Sequence, residues 1–158
     1  MALAALILIF SSAFFLFYLQ VTCQRLLRRQ FDREYFLAIV NANRLEFSAV
    51  RRTLEEFNAP VDYPRLRMVL KCDFLALTYL LKNAVNVDQR YSRDEQLLML
   101  YFRLVFASLI TRHWLRVREK PAILKLTAVL QYFANVVGQR VDTVRFANLA
   151  ASDYLLDS

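Results

Sequence analysis

The chain has 158 residues, a formal net charge of +7 and 58% hydrophobic residues. That length suits one membrane anchor and one domain large enough to bury a core. The many aromatic residues exclude a disordered chain, and a single glycine excludes a glycine-rich phosphate-binding loop. The hydrophobic fraction exceeds that of an average globular chain, so we expect apolar surface for a partner or a membrane.

The first charged side chain is Arg25, and residues 2–21 are apolar with three polar exceptions. An apolar run of about 20 residues, rising about 1.5 Å each, crosses the roughly 30 Å hydrocarbon core of a bilayer. A basic cluster follows, which marks the cytoplasmic side. Its members are Arg25, Arg28, Arg29 and Arg33. The pattern predicts one transmembrane anchor over 1–24, with its N-terminus outside the cell membrane, and a cytoplasmic domain over 25–158.

A cleaved secretory signal is an alternative for this segment. Such a signal has a basic start and a small-residue cleavage site, but here the first residues carry no charged side chain and no Ala-x-Ala sequence follows. Cys23 follows the apolar run as a lipoprotein cysteine would. The residues before it fit that pattern poorly, and arginines directly after it are unusual in a translocated segment. We therefore favour a retained anchor.

The anchor helix has no evident stop, because residues 25–58 contain neither proline nor glycine and repeat apolar residues at helical intervals. The sequence predicts one long helix that leaves the membrane and enters the domain directly, which would hold the domain at a fixed height. Asn41 and Asn43 are its weakest point. Residues 58–60 should end it, since the residue before a proline avoids helical geometry.

The next two helices have clear start signals. Asp62 and Pro64 favour a helix that runs to about Asn86 and is buried on most sides. Ser92 followed by Glu95 is a capping box, and the apolar run behind it predicts the central helix of the domain.

A fourth helix should run from Pro121 to Gly138, where the only glycine favours a C-terminal stop, and a short fifth helix should cover 142–156. The later apolar runs contain charges, so only the first segment is predicted to cross the membrane. The fold class that we predict is all-α: a single N-terminal transmembrane helix followed by a bundle of four to five helices.

The sequence offers little chemistry. His113 is the only histidine and is interpreted as a surface or capping residue. Asp73 is interpreted as one half of an ion pair with a neighbouring arginine rather than as a functional acid. Cys23 and Cys72 lack metal or redox spacing, so we expect reduced thiols. These observations predict no enzyme, no cofactor and no metal site.

A second basic cluster surrounds the only tryptophan of the chain. The interface residues predicted here are Trp114 and the cations Arg112, Arg116 and Arg118. A tryptophan among aliphatic and cationic residues is typical of membrane-interface segments. Each cation near an anionic surface contributes about 1 kcal/mol. With the first cluster, these residues form the predicted lipid interface, at the same height above the bilayer. An ordinary solvated helix end is the alternative.

These features predict a non-catalytic, single-pass accessory or scaffold subunit of a larger membrane protein complex, whose domain caps the cytoplasmic face. Its partners would be other membrane subunits and anionic lipids. The anchor has small residues suited to packing on partner helices, at Ala4, Ala5, Ser11, Ser12 and Ala13. The alternative is a membrane-tethered regulatory or adaptor module that recruits a soluble partner or an anionic lipid. Nucleic-acid binding is not expected, because the aromatic residues fall on apolar helical faces, and no small-molecule substrate is evident.

Overall fold

The computed structural model describes residues 1–31, 33–56, 62–84 and 91–156, with side chains described as far as residue 143. All regular elements in these residues are helices, which confirms the all-α class. The helices are α1 (Ala2–Leu27), α2 (Phe36–Asn43), α3 (Phe47–Glu56), α4 (Tyr63–Asn83), α5 (Arg93–Trp114) and α6 (Lys120–Leu156). α1 is long and apolar enough to cross a membrane.

The anchor helix does not continue into the domain, so the prediction of one long helix is wrong. α1 ends at Leu27, and α2 begins only at Phe36. α2 ends at Asn43, within the predicted weak point, and Arg44 follows in the left-handed conformation with φ of 52°. The predicted end at 58–60 lies outside the described residues.

The breaks before α2 and α3 are stabilised because side chains from distant helices cap the first residues of these two helices. Asn135 Oδ1 on α6 accepts the backbone N–H groups of Tyr35 and Phe36, each at 2.9 Å. Asp73 on α4 accepts those of Glu46 and Phe47, at 3.0 and 2.8 Å. Each cap satisfies N–H groups that have no partner within their own helix. The two short helices are therefore closed by tertiary contacts.

The starts of α4 and α5 agree with the sequence. Asp62 is the N-cap of α4 and Pro64 lies in its first turn, although the Asp62 side chain makes no cap hydrogen bond. α4 ends at Asn83, and the end predicted near residue 86 lies outside the described residues. In α5 the capping box is present: Glu95 N–H donates to Ser92 Oγ at 3.2 Å, and Ser92 N–H donates to Glu95 Oε2 at 3.1 Å.

Gly138 lies inside α6 instead of ending it, so the predicted stop and the separate fifth helix are wrong. A Cβ atom at Gly138 would lie 2.1 Å from Tyr35 Cβ and 2.8 Å from its Cγ. The glycine is required for close approach of the segment before α2. Its backbone does not take the left-handed geometry of a helix end.

The central helix is α6 rather than α5, because α6 packs against each of the other five described helices. The face predicted for it is buried, at Ile123, Leu126, Val129, Leu130, Phe133 and Val137. α6 also meets the length and hydropathy requirement for a membrane span, but two thirds of that stretch is buried inside the protein. In α5, by contrast, Leu100, Leu104 and Ile110 remain exposed.

Replacing Gly138 with alanine should lower the free energy of unfolding by about 1–3 kcal/mol, because the new methyl group overlaps Tyr35. This loss should outweigh the gain in helix propensity, which is about 1 kcal/mol. Thermal unfolding in mild detergent, followed by circular dichroism, measures the change. Gln139→Ala, at the neighbouring exposed position, is the control and should stay within about 0.5 kcal/mol of wild type. A Gly138→Ala protein as stable as wild type would contradict the close contact.

Candidate membrane interface

α1 has a projecting part and a packed part. The side chains as far as Tyr18 are exposed, whereas Leu19 is 3% exposed and Cys23 is fully buried. The Cys23 thiol points at the backbone oxygen of Leu97 on α5, 3.9 Å away. Leu19 and Cys23 belong to the same hydrophobic core as the inner faces of α5 and α6. The end of the anchor is therefore part of the domain.

The packed part begins near Leu16. A cavity of about 300 Å³ lies where α1, α5 and α6 meet. From α1 it is lined by Leu16, Leu19 and Gln20, and from the other helices its lining includes Tyr101, Ser108, Arg112, Pro121 and Lys125. Arg112 near the end of α5 and Pro121 at the start of α6 thus lie around the same cavity as Leu16–Gln20. Residues 2–15, called the projecting segment below, extend beyond them.

The projecting segment has two different faces. At about 100° of rotation per residue, Ala5 and Ser12 fall on the same face as Leu19, which is turned towards the domain. Phe10 and Phe14 fall on the opposite face. The Ser12 hydroxyl donates to the Leu8 carbonyl at 2.8 Å, so its polar group is satisfied within the helix. The segment therefore offers an uncharged surface throughout.

The turn that joins α5 to α6, residues 112–121, is called the α5–α6 corner. Val117 N–H donates to the Arg112 carbonyl at 2.9 Å, and Arg116 N–H donates to the His113 carbonyl at 3.1 Å. These bonds form the helix-ending turn in which glycine is usual at the left-handed position. That position is occupied by Arg116, with φ of 53°.

Polar contacts fix the corner in place. The Arg112 guanidinium donates to the Arg118 carbonyl at 3.2 Å. The His113 ring stacks on Tyr63 of α4 with centroids 3.4 Å apart, and its Nδ1 lies 2.7 Å from Glu119 Oε1. The apolar side chains of the corner take no part in these contacts: Trp114, Leu115 and Val117 are 84%, 59% and 51% exposed. The corner is an ordered turn with apolar side chains facing outwards.

The first basic cluster lies elsewhere. Arg28 and Arg29 join Arg51 of α3 around a cavity of about 480 Å³, while Arg25 and Arg33 are exposed nearby in the chain. This arginine cavity is lined by Leu27 and by residues of α6, including Gln131 and Tyr132. Along α1 this cavity comes after Leu16–Gln20, the turn that lines the cavity next to Arg112. The two clusters therefore line different cavities.

Asp73 is a helix cap, so its interpretation as the partner of an arginine is wrong. Its buried carboxylate accepts two backbone N–H groups of α3. Burial raises the pKa of Asp73, and the charge of Glu46 raises it further, while the two N–H bonds act in the opposite direction.

The buried ion pair of the domain is one that the sequence did not reveal. Arg140 of α6 pairs with Glu95 of the α5 capping box, and its guanidinium also donates to the Leu81 carbonyl at 2.9 Å. One arginine thus joins the end of α4 to the start of α5. No local pattern connects these positions, because the partner residues lie 45 and 59 positions apart in the chain.

Asp73 and His113, the two candidate functional groups from the sequence, lie in different parts of the domain. Asp73 lies about 15 Å further along α4 than Tyr63, on which His113 stacks, so the two candidate groups are not brought together. No group of three His, Cys, Asp or Glu side chains in the described part of the chain is placed to hold a metal ion. Cys23 and Cys72 are both free thiols.

The chain matches no protein-family model, no curated protein and no solved structure.

The stability of the Asp73→Asn variant relative to wild type should change with pH. Because the pKa of Asp73 is raised above 3.8, the folded state favours the protonated acid. That contribution to stability is complete below pH 3.8 and is lost as the pH rises through the raised value. Asparagine does not titrate, so wild type should lose stability relative to Asp73→Asn between acidic and neutral pH.

Melting temperatures of both proteins across that range measure the difference. Asp62→Asn removes an equal charge from the exposed start of α4 and is the matched control. A difference between wild type and Asp73→Asn that does not vary with pH would show that burial does not disfavour the Asp73 carboxylate.

Proposed function

We propose that this chain is a non-catalytic, single-pass accessory or scaffold subunit of a membrane protein complex, with α1 as its anchor. Its N-terminus lies outside the cell membrane and its helical domain on the cytoplasmic face. The observation that carries this proposal is the burial of Leu19 and Cys23 in the core that α5 and α6 share. An anchor packed in this way sets the orientation of its domain, as a structural subunit requires.

The same contact supports a retained anchor. Cleavage after the apolar run would remove Leu19 from the core and expose the surfaces of α5 and α6 that it covers. The direction of insertion rests on charge, because a cluster of arginines directly follows the apolar run. Arginine and lysine near the end of a membrane helix favour the cytoplasmic side.

Two apolar surfaces are available to a partner. On α4, the exposed side chains of Met68, Leu75 and Tyr79 recur on one helical face with Cys72 between them. These residues, called the α4 stripe below, are exposed on a helix that the sequence predicts to be buried on most sides. On α1, small residues let another helix approach closely. Exposed contiguous apolar surface on a folded domain commonly marks a protein contact.

The arginine cavity favours the second candidate function, a tethered module that recruits an anionic partner or lipid. Arg28 and Arg29 line one opening together with Glu34, and Arg51 beside them is already bonded to Glu55 and Gln131. Guanidinium groups bind phosphate through paired hydrogen bonds. Purification in mild detergent separates the two functions. A stoichiometric integral-membrane partner supports the subunit, whereas its absence, with retention of bound phospholipid, favours the tethered module.

Leu75→Glu combined with Tyr79→Ser should reduce recovery of the partner subunit by more than about tenfold. Apolar interface residues of this kind contribute about 1–2 kcal/mol each, and about 1.4 kcal/mol corresponds to a tenfold change in affinity. Affinity purification of the full-length protein, with quantification of what co-purifies, measures the change.

Lys71→Glu combined with Lys82→Ser alters two exposed polar positions on the same helix and should leave recovery unchanged. Equal recovery with both double variants would exclude the α4 stripe as the contact surface.

A further inference from the structure

The projecting segment is too short to cross a bilayer alone. Residues 2–15 at about 1.5 Å each extend about 21 Å, against a hydrocarbon core of roughly 30 Å. The next turn of α1, Leu16–Gln20, lines a cavity together with Arg112 of α5 and Pro121 of α6. If α1 crosses the membrane, as the proposed function states, the missing length of about 9 Å must come from residues level with the α5–α6 corner.

The corner has the composition that such a position requires. Trp114, Leu115 and Val117 expose most of their surfaces outside the bundle core. Tryptophan is enriched at the headgroup level, where its ring contacts acyl chains and its N–H contacts polar groups. Arg116 and Arg118 are exposed on the same turn. Their long side chains can reach headgroup phosphates while their methylene groups stay in apolar surroundings.

The backbone at Arg116 gives independent support. A residue other than glycine in the left-handed conformation costs about 1 kcal/mol or more. Glycine would avoid this cost in the same turn, yet the position holds an arginine. The nearest acidic side chain on the corner, Glu119, is already paired with His113. An arginine at this exposed position has the geometry to bind a phosphate group through paired hydrogen bonds.

We propose that the α5–α6 corner is immersed in the cytoplasmic interface of the membrane. Trp114, Leu115 and Val117 enter the boundary of the acyl chains, and Arg116 and Arg118 bind phosphates of anionic lipids. Immersion of the corner and local thinning of the bilayer together supply the length that the projecting segment lacks. Lipid is the occupant because the corner is level with a part of α1 that must itself lie in the bilayer.

The only tryptophan of the chain makes a direct test available. The full-length protein is reconstituted in vesicles of phosphatidylcholine and phosphatidylglycerol whose acyl chains carry bromine close to the headgroup. We expect Trp114 emission at a shorter wavelength than in water, and quenching by bromine several-fold stronger than in the control below. Emission and quenching equal to those of the control would overturn the proposal.

The control moves the tryptophan to the other end of the domain, as Trp114→Phe combined with Lys82→Trp. Lys82 is exposed and lies about 28 Å along α4 from Tyr63, which stacks on the corner residue His113. Next to Lys82, the Leu81 carbonyl accepts a hydrogen bond from Arg140, far along α6 from the corner. This tryptophan should emit as in water.

The role of the arginines is tested by Arg116→Gly. The variant should melt at or above the temperature of wild type, because the left-handed position is relieved. It should also lose the extra quenching of Trp114 that phosphatidylglycerol produces over pure phosphatidylcholine. If phosphatidylglycerol gives no extra quenching in wild type, the binding of anionic lipids by the corner is wrong.

Failure of this inference is distinguishable from failure of the proposed function. A protein that is released from membranes by an alkaline wash would contradict the anchor itself. A protein that stays in the membrane, while its Trp114 is not quenched, would contradict only the immersion of the corner.

Discussion

The packing of α1 against α5 and α6 determines how the rest of the structure is placed. Leu19 and Cys23 are core residues of the domain and also belong to α1, which is long and apolar enough to cross a membrane. The end of α1 is therefore packed directly into the bundle. Each surface described above, including the corner, the arginine cavity and the α4 stripe, has a set direction relative to α1 because of this contact.

The interior of the domain depends on polar side chains that close helix ends on other helices. Asp73 closes the start of α3, Asn135 closes the start of α2, and Arg140 joins the end of α4 to the start of α5. Helices as short as α2 and α3 are marginal in water by themselves. Their boundaries come from the surrounding fold, which provides both the caps and the apolar surface beneath them.

Sequence reasoning succeeded where the signal was local. The capping box at Ser92 and the apolar face of α6 were both correct, because each depends on residues within a few turns. It failed at Gly138, at Asp73 and at the end of α1. A glycine such as Gly138 usually indicates the end of a helix. Here a glycine is needed because Tyr35, about a hundred positions away in the chain, packs directly against it. The α5–α6 corner was identified by its composition. Its position next to α1 could not be predicted, because it depends on how α1 packs against α5 and α6.

The long separation between capped and capping residues has a consequence for synthesis. α1 leaves the ribosome before α6, because it comes earlier in the chain. The N–H groups of Tyr35 and Phe36 cannot bond to Asn135 until that residue is made, 100 and 99 residues later. The cap at the start of α2 therefore forms only after this part of α6 has emerged. Assembly of the domain is completed from its C-terminal half.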